Sequence, residues 1–294
     1  MTMRIKIFAD YVNPDKAKEL FEQAHRAVDF PDEYGPDKKV YFVGSEEEAT
    51  HALVINCVKP DLSGMSKWNV VGLAHEPAPF LPLSLDFIRY ACSNIGIYYI
   101  GDVGDLPSPF TEGQGYLLHA DAGAGADATK SKKKLMSLMI SQKQFASGHK
   151  YRHELATAIL KTDLPIDIYG RGCKLYGQDS RLRGEFTNPE PMLKDYRFHI
   201  CIENFVSNYY FSEKVVDPVC YGVTPVYMGC RNIEEFLPDM TIKLTGILSH
   251  DMDIIRKICQ EPDKYELNAK IKENLKGKAK FNLIREILDG NVFP

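Results

Sequence analysis

The stretch from Glu203 to Lys214 includes six polar residues able to serve one ligand together: Glu203, Asn204, Tyr210, Ser212, Glu213 and Lys214. Glu203-Asn204 closes an apolar run, Phe198 to Ile202, that reads as a buried strand, and polar residues at a strand end usually face a cleft. Ser212 stands where a helix N-cap belongs, with Glu213 and Lys214 in the first turn and Val215, Val216 and Val219 as the apolar face. The helix stops at Tyr221-Gly222, and a second strand, Thr224 to Met228, follows. Free N–H groups and the dipole at a helix start favour negative charge, and Lys214 adds a full positive charge there. This is chemistry suited to a phosphate group.

Two further positions could take part in a reaction on such a ligand. Arg152 lies at the start of a helical pattern, YRHELATAIL, shortly after the strand-like LMSLMIS, which predicts a place at the mouth of a cleft. Its planar fork can hold two oxygens of a diphosphate at once, whereas Lys214 acts as a point charge. Glu76 follows a short strand of Val, Gly, Leu and Ala, and the prolines after it force an extended turn that displays the carboxylate. A glutamate whose pKa is raised in a dry cleft can serve as a general base at neutral pH. His75 is the rival base, although a lone histidine is more often structural.

The elements that must position these groups alternate along the chain. Strands are expected at Arg4 to Ala9, Val40 to Val43, Ala52 to Cys57, Val70 to Ala74 and Ile97 to Ile100, with helices from Pro14 to Val28 and from Ser84 to Tyr90. Strands interleaved with helices argue βαβ units and a mostly parallel sheet. A small-then-basic stretch, ADAGAGADATKSKKK, reads as a linker, and Lys130, Lys132, Lys133 and Lys134 as a solvated run. Gly123-Ala124-Gly125 is no dinucleotide loop, because no strand precedes it. A second alternating series starts at Leu135 to Ser141, runs through a helix from Tyr151 to Lys161 and a strand Ile166 to Tyr169, and ends in a helical tract from Lys264 to Leu288. The expected organisation is an α/β domain over 1–128, a linker over 129–134 and a second α/β domain over 135–294.

The stretch Ile202-Glu203-Asn204, then Tyr210-Phe211-Ser212-Glu213-Lys214, then Thr224-Pro225-Val226-Tyr227-Met228-Gly229 resembles the donor-binding signature of the α1,3/1,4-fucosyltransferases, glycosyltransferase family 10. That signature runs F-E-N, a Gly/Tyr-rich loop, Y-V-T-E-K, a helix and I-P-I-Y-W-G, with the same spacing. Ser212 replaces the usual Thr, Met228 the usual Trp, and Phe205-Val206-Ser207-Asn208 fills a loop normally richer in Gly and Gln. The resemblance implies a GT-B architecture of two Rossmann-like domains, with the donor in the C-terminal one and a last helix that can pack back on the N-terminal one. It implies an inverting transfer of L-fucose from GDP-β-L-fucose to a glycan hydroxyl, giving an α-linked fucoside with α1,3 the expected linkage. Glu76 matches the family's essential glutamate and Arg152 its diphosphate arginine. Asn204, Tyr210, Glu213 and Lys214 fall on the donor-binding positions, with Glu203, Ser212 and His75 as secondary candidates. A GT-B enzyme using another nucleotide sugar and an inert nucleotide- or glycan-binding protein on the same scaffold are the alternatives.

Composition sets the outer limits. The chain has 294 residues, 44% hydrophobic and 26% charged, with a formal net charge of −4. That describes a soluble globular protein with no basic footprint for nucleic acid. The seven cysteines are scattered without a C-x-x-C pair, which suits reduced thiols and argues against zinc. No apolar run approaches the ~18–20 residues that span a bilayer, and the start of the chain goes straight into a strand, so a soluble cytoplasmic enzyme of bacterial or viral type is expected. Asp251-Met252-Asp253 looks like the D-x-D metal motif of the other large glycosyltransferase fold, but its place at a helix start reads as dipole-complementing acid. Metal-independent transfer, with divalent ions at most stimulatory, is therefore the expectation. No sequence signal sets an oligomeric state.

Overall fold

The computed structural model describes residues 2–25, 27–115, 132–188, 190–266 and 282–293. The chain divides into two units, one comprising Met1–Asp121, Ser207–Tyr210 and Lys278–Pro294, the other Ala122–Val206 and Phe211–Gly277. Gly123-Ala124-Gly125, residues 129–131 of the expected linker with Lys130 among them, and the middle of the expected terminal helical tract lie outside the described residues.

The first unit holds a parallel sheet of β1 (Met3–Phe8), β2 (Val40–Val43), β3 (His51–Ile55), β4 (Val70–Leu73), β5 (Ile97–Ile100) and β6 (Phe110–Glu112), in the order β2-β1-β3-β4-β5-β6. Every residue of β4 is buried, the near-continuous apolar reading of a strand covered on both faces. Helix α1 (Pro14–Ala24) begins where Asn13 Oδ1 accepts from Lys16 N at 2.9 Å, and α2 (Leu85–Asn94) where Ser84 Oγ accepts from Phe87 N at 3.1 Å. The order reverses between β1 and β3, whose carboxyl ends therefore flank the unit's switch point.

The second unit repeats the plan with β7 (Lys134–Met139), β8 (Ile166–Tyr169), β9 (Leu182–Gly184), β10 (Tyr196–Ile202), β11 (Thr224–Met228) and β12 (Ile242–Lys243), ordered β12-β11-β10-β7-β8-β9 and parallel throughout. Its helices are α3 (Ser147–Leu160), α4 (Glu190–Leu193), α5 (Glu213–Cys220) and α6 (Leu248–Gln260). Leu155, Ile159, Ile255 and Ile258 from α3 and α6 pack with Met136, Leu138, Ile168, Phe198 and Ile200 of the sheet. The carbonyls left open at the end of α3 are met by one side chain: Arg181 donates to the oxygens of Ile159, Leu160, Thr162 and Leu164 at 2.7 to 3.2 Å. Here the switch point lies between β7 and β10.

Helix α7 (Leu283–Leu288) belongs to the first unit, where Leu283, Ile284 and Ile287 join Ile5, Ile7, Phe21 and Phe42 in one core. Two expectations are corrected. Lys134 is exposed, as the lysine run predicts, but it is not linker: it opens β7, and its ammonium meets Asp167 at 3.4 Å and the Tyr196 hydroxyl at 3.1 Å. Lys132 likewise donates to the carbonyls of Lys194 and Tyr221. The helix expected from Tyr151 starts four residues earlier, at Ser147, which moves Arg152 from its opening into its second turn.

Candidate functional site

At the switch point of the second unit, the start of α3 is fastened to the residues that follow β10. Gly148 N donates to the Asn204 carbonyl at 3.0 Å, and a Cβ on Gly148 would lie 1.8 Å from the carbonyl oxygen of Glu203. Only glycine permits that approach. One turn later the Arg152 guanidinium donates from Nε to the Gly148 carbonyl at 3.2 Å and from Nη2 to Asn204 Oδ1 at 2.6 Å. Arg152 is 3% exposed, so it is a buried cation held from below and not the solvent-facing residue that its sequence position suggests.

Glu203 is not a cleft-lining carboxylate either. It is 0% exposed, its backbone N–H bonds the Met228 carbonyl at 2.8 Å, and its carboxylate accepts from Ser212 N at 2.8 Å and from Ser212 Oγ. Gly229 leaves the room for it, since a Cβ there would sit 2.4 Å from Glu203 Cγ. Ser212 is the N-cap of α5, with Oγ accepting from Lys214 N at 3.3 Å. The Lys214 ammonium lies 3.0 Å from Ser212 Oγ, 3.1 Å from Glu213 Oε1 and 3.5 Å from Glu203 Oε2. The start of α5 is thus anchored through a buried carboxylate, and the same carboxylate aims the lysine.

The charges in this cluster act on one another. Burial pulls the Lys214 pKa down and the Arg152 guanidinium adds to that pull, but the Glu213 and Glu203 carboxylates outweigh both, so it is raised. Burial raises the pKa of Glu203 against the lowering influence of Lys214. His149, one residue past Gly148, is pushed down to about 4 by burial and by Arg152, Lys143 and Lys214, which keeps it neutral beside the two cations. Two ordered cations, close enough to repel, are therefore held at the carboxyl ends of β7 and β10.

In the same unit, a cleft of about 580 Å³ whose lining includes neither cation runs between one face of α3, Ser147, Lys150, Tyr151 and Glu154, and the chain after β11 and β12, including Gly229, Cys230 and Gly246. Its floor is braced by Asp251, whose carboxylate accepts from Thr245 N at 2.7 Å, Gly246 N at 2.9 Å and the Tyr151 hydroxyl. Asp253 pairs instead with Arg256 at 2.8 Å on the surface. The D-x-D carboxylates thus serve a helix start and an ion pair. Among the described residues no group of three or more His, Cys, Asp and Glu is placed to hold a metal.

In the first unit, Glu76 follows β4 and is partly exposed, with Pro77 after it. The His75 ring is 9% exposed, stacks on Phe21 with centroids 6.2 Å apart, and has Nδ1 3.4 Å from the Tyr11 hydroxyl. Tyr210 is buried and Glu213 half-buried. The sequence reading missed Gly148, His149 and the cleft residues. Ser147-Gly148 between a strand and a helix was the available signal, because glycine there marks close backbone approach.

Residues 129–247 match the glycosyltransferase family 10 (fucosyltransferase) C-terminal model. That stretch, less than half of the chain, is similar in sequence to the family's C-terminal domain. The chain is similar to GDP-fucose protein O-fucosyltransferase 3 of Bos taurus, 30% identical over 131 residues that make up 40% of this chain and 26% of the relative. It is also similar to alpha-(1,3)-fucosyltransferase B of Drosophila melanogaster, 34% identical over 86 residues, 27% of this chain and 19% of the relative. The matched stretches thus span 26% and 19% of those relatives' length. In fold, the chain is similar to a crystal structure of an α1,3-fucosyltransferase with GDP, with a TM-score of 0.58, 14% identity and coverage of 99% of this chain and 92% of the other. An α-glucosyltransferase in complex with UDP and DNA gives 0.55 at 11% identity over 97% and 95%. The fold is GT-B, with two parallel-sheet α/β domains. Among the described residues no helix is long and apolar enough to cross a membrane.

Proposed function

We propose that this chain transfers L-fucose from GDP-β-L-fucose to a hydroxyl of a glycan, with inversion, to give an α-linked fucoside, α1,3 by preference. The observation that carries the reading is the pair of mutually repelling cations, Arg152 and Lys214, fixed by Asn204, Ser212 and two carboxylates of the chain itself. Such preorganised positive charge favours a diphosphate, and favours it most as negative charge grows on departure. With Oδ1 of Asn204 taken by Arg152, its amide nitrogen is the donor for a phosphate or sugar oxygen. Glu213 and Tyr210 complete the donor contacts. The Glu76 carboxylate takes the acceptor O–H proton, the acceptor oxygen bonds the fucose C1, and the C1–O bond to phosphate breaks with its electron pair leaving on GDP.

Because Arg152 and Lys214 supply the leaving-group charge, transfer requires no bound metal in this reading. The seven cysteines are free thiols, which suits a reducing, cytoplasmic setting. A protein hydroxyl as acceptor is the second reading, favoured by the similarity to the bovine protein O-fucosyltransferase 3.

The test pairs thermal shift with transfer. GDP at a hundred times its dissociation constant adds ~2.7 kcal/mol to the folded state. GDP and GDP-fucose should raise the melting temperature and UDP should not; the reverse order rejects the donor. Incubation of labelled GDP-fucose with glycan and peptide arrays then separates the two acceptor readings. Arg152→Lys should lower donor use roughly tenfold or more, since an ammonium cannot serve Asn204 and two phosphate oxygens together.

A further inference from the structure

Asn56, the first residue after β3, uses every polar group it has. Its N–H donates to the Leu73 carbonyl at 3.0 Å, and its carbonyl accepts from the Tyr98 hydroxyl at 2.7 Å. Its side chain does two more things: Oδ1 accepts from the His75 N–H at 3.0 Å, and Nδ2 donates to Asp10 Oδ1 at 2.9 Å. The residue is 5% exposed and has φ of +57°, a left-handed conformation that glycine adopts more readily. Asn56 thus ties the exit of β1, at Asp10, to the exit of β4, at His75, across the switch point of the first unit. A backbone position that favours glycine but is filled by asparagine, with both ends of the amide bonded, points to a task for the side chain.

That task is visible one residue downstream. Ala74 N still bonds the Tyr99 carbonyl at 2.9 Å as a continuation of the sheet, so the His75 N–H is where the β4 chain leaves the ladder. Asn56 Oδ1 takes that N–H, and Phe21 and Tyr11 hold the His75 ring. The turn that carries Glu76 is pinned by its backbone on one side and by its neighbour's ring on another. We propose that Asn56 is a positioning residue for the reaction: it fixes the His75-Glu76 turn so that the Glu76 carboxylate is held for proton transfer. The inference rests on the reading of Glu76 as the base. It also gives His75 a role as an anchor of the turn. A carboxylate that swings by about 1 Å loses much of the benefit of orientation, and the loss falls on turnover more than on donor binding.

The experiment follows GDP release from GDP-fucose, with water as acceptor, in wild type, Asn56→Gly, Asn56→Asp/Asp10→Asn and Glu76→Gln. Glycine suits the left-handed backbone, so Asn56→Gly keeps the fold while deleting both side-chain bonds. Its kcat should fall tenfold or more with the KM for GDP-fucose within twofold, and exchange of the His75 amide should speed up. The exchanged pair Asn56→Asp/Asp10→Asn keeps an acceptor for that amide and a hydrogen bond to position 10 without setting two carboxylates against each other, and should recover most of the turnover. Asn56→Gly turnover within twofold of wild type, KM rising in step with the loss of kcat, or Asn56→Asp/Asp10→Asn no better than Asn56→Gly each overturns the inference while leaving the base intact, provided Glu76→Gln is inactive. Normal turnover by Glu76→Gln removes the base assignment and the positioning role together.

Discussion

Replacing Lys214 by alanine strips the counter-charge from Glu203, a carboxylate that is 0% exposed. Wild-type Glu203 has two kinds of support, the Ser212 N–H and hydroxyl at 2.8 to 2.9 Å and the Lys214 ammonium at 3.5 Å. Breaking a buried pair from one side typically costs ~3–5 kcal/mol, and the surviving Ser212 bonds place this case toward the lower end. Against a total stability of ~5–15 kcal/mol, a loss of ~3 kcal/mol should lower the melting temperature by ~6–12 °C in a domain of this size. Lys214→Ala is therefore expected to damage folding as well as donor use, which falls a further ~10- to 100-fold through the lost charge-assisted contact. The double variant Lys214→Met/Glu203→Gln separates the two effects, because a neutral amide can still bond Ser212 and leaves no buried charge. It should regain most of the stability and none of the donor affinity. The pH dependence carries its own sign. Burial raises the Glu203 pKa, so the stability linked to its protonation is present below the unfolded pKa and lost as pH rises through the folded one. The deficit of Lys214→Ala relative to wild type should accordingly narrow as pH falls. Urea unfolding at several pH values measures all of this. Lys214→Ala within 1 kcal/mol of wild type at neutral pH, or a double variant no more stable than the single, would refute the argument.

Gly148→Ala places a Cβ 1.8 Å from a backbone oxygen, so α3 must shift and Arg152 must part from Asn204. A stability loss of ~1–3 kcal/mol is expected in urea unfolding, together with weaker GDP binding by calorimetry. Asp251→Ala should cost ~2–4 kcal/mol by removing the acceptor of Thr245 N, Gly246 N and Tyr151, while Asp253→Ala on the surface changes stability by less than ~0.5 kcal/mol. GDP-fucose turnover by the folded Asp253→Ala enzyme, and by wild type in EDTA, should persist; loss of both with rescue by added metal would establish a metal site. His199, pushed down to about 3 by burial, donates its Nδ1–H to Ser137, whose hydroxyl donates to the Met192 carbonyl. Its folded pKa lies below the ordinary 6.5, so its contribution is complete above pH 6.5 and lost as pH falls toward 3. His199→Gln should remove ~1.4 kcal/mol per pH unit from the slope of stability between pH 6 and 4.

The apolar runs of buried parallel strands are local, and β2, β5, β8 and β11 occupy the residues expected of them, Val40–Val43, Ile97–Ile100, Ile166–Tyr169 and Thr224–Met228. The N-cap at Ser212 was equally legible, because capping is a contact within one turn. The three-residue strands β6 and β9 at the sheet edges were not, since so short a run has no period to read. The donor signature pointed to the family whose model matches residues 129–247, and spacing alone gathered Asn204, Ser212, Glu213 and Lys214. What the sequence could not disclose was depth. Arg152 and Glu203 look like cleft residues from their places at a helix start and a strand end, yet both are buried. Their burial follows from which strand ends become neighbours: once β7 and β10 pair at the switch point, Gly148 and Gly229 let backbones and side chains close over them. Asn56 meets His75 and Asp10 for the same reason, at the junction of three strands whose adjacency is a property of the sheet order and of no local segment.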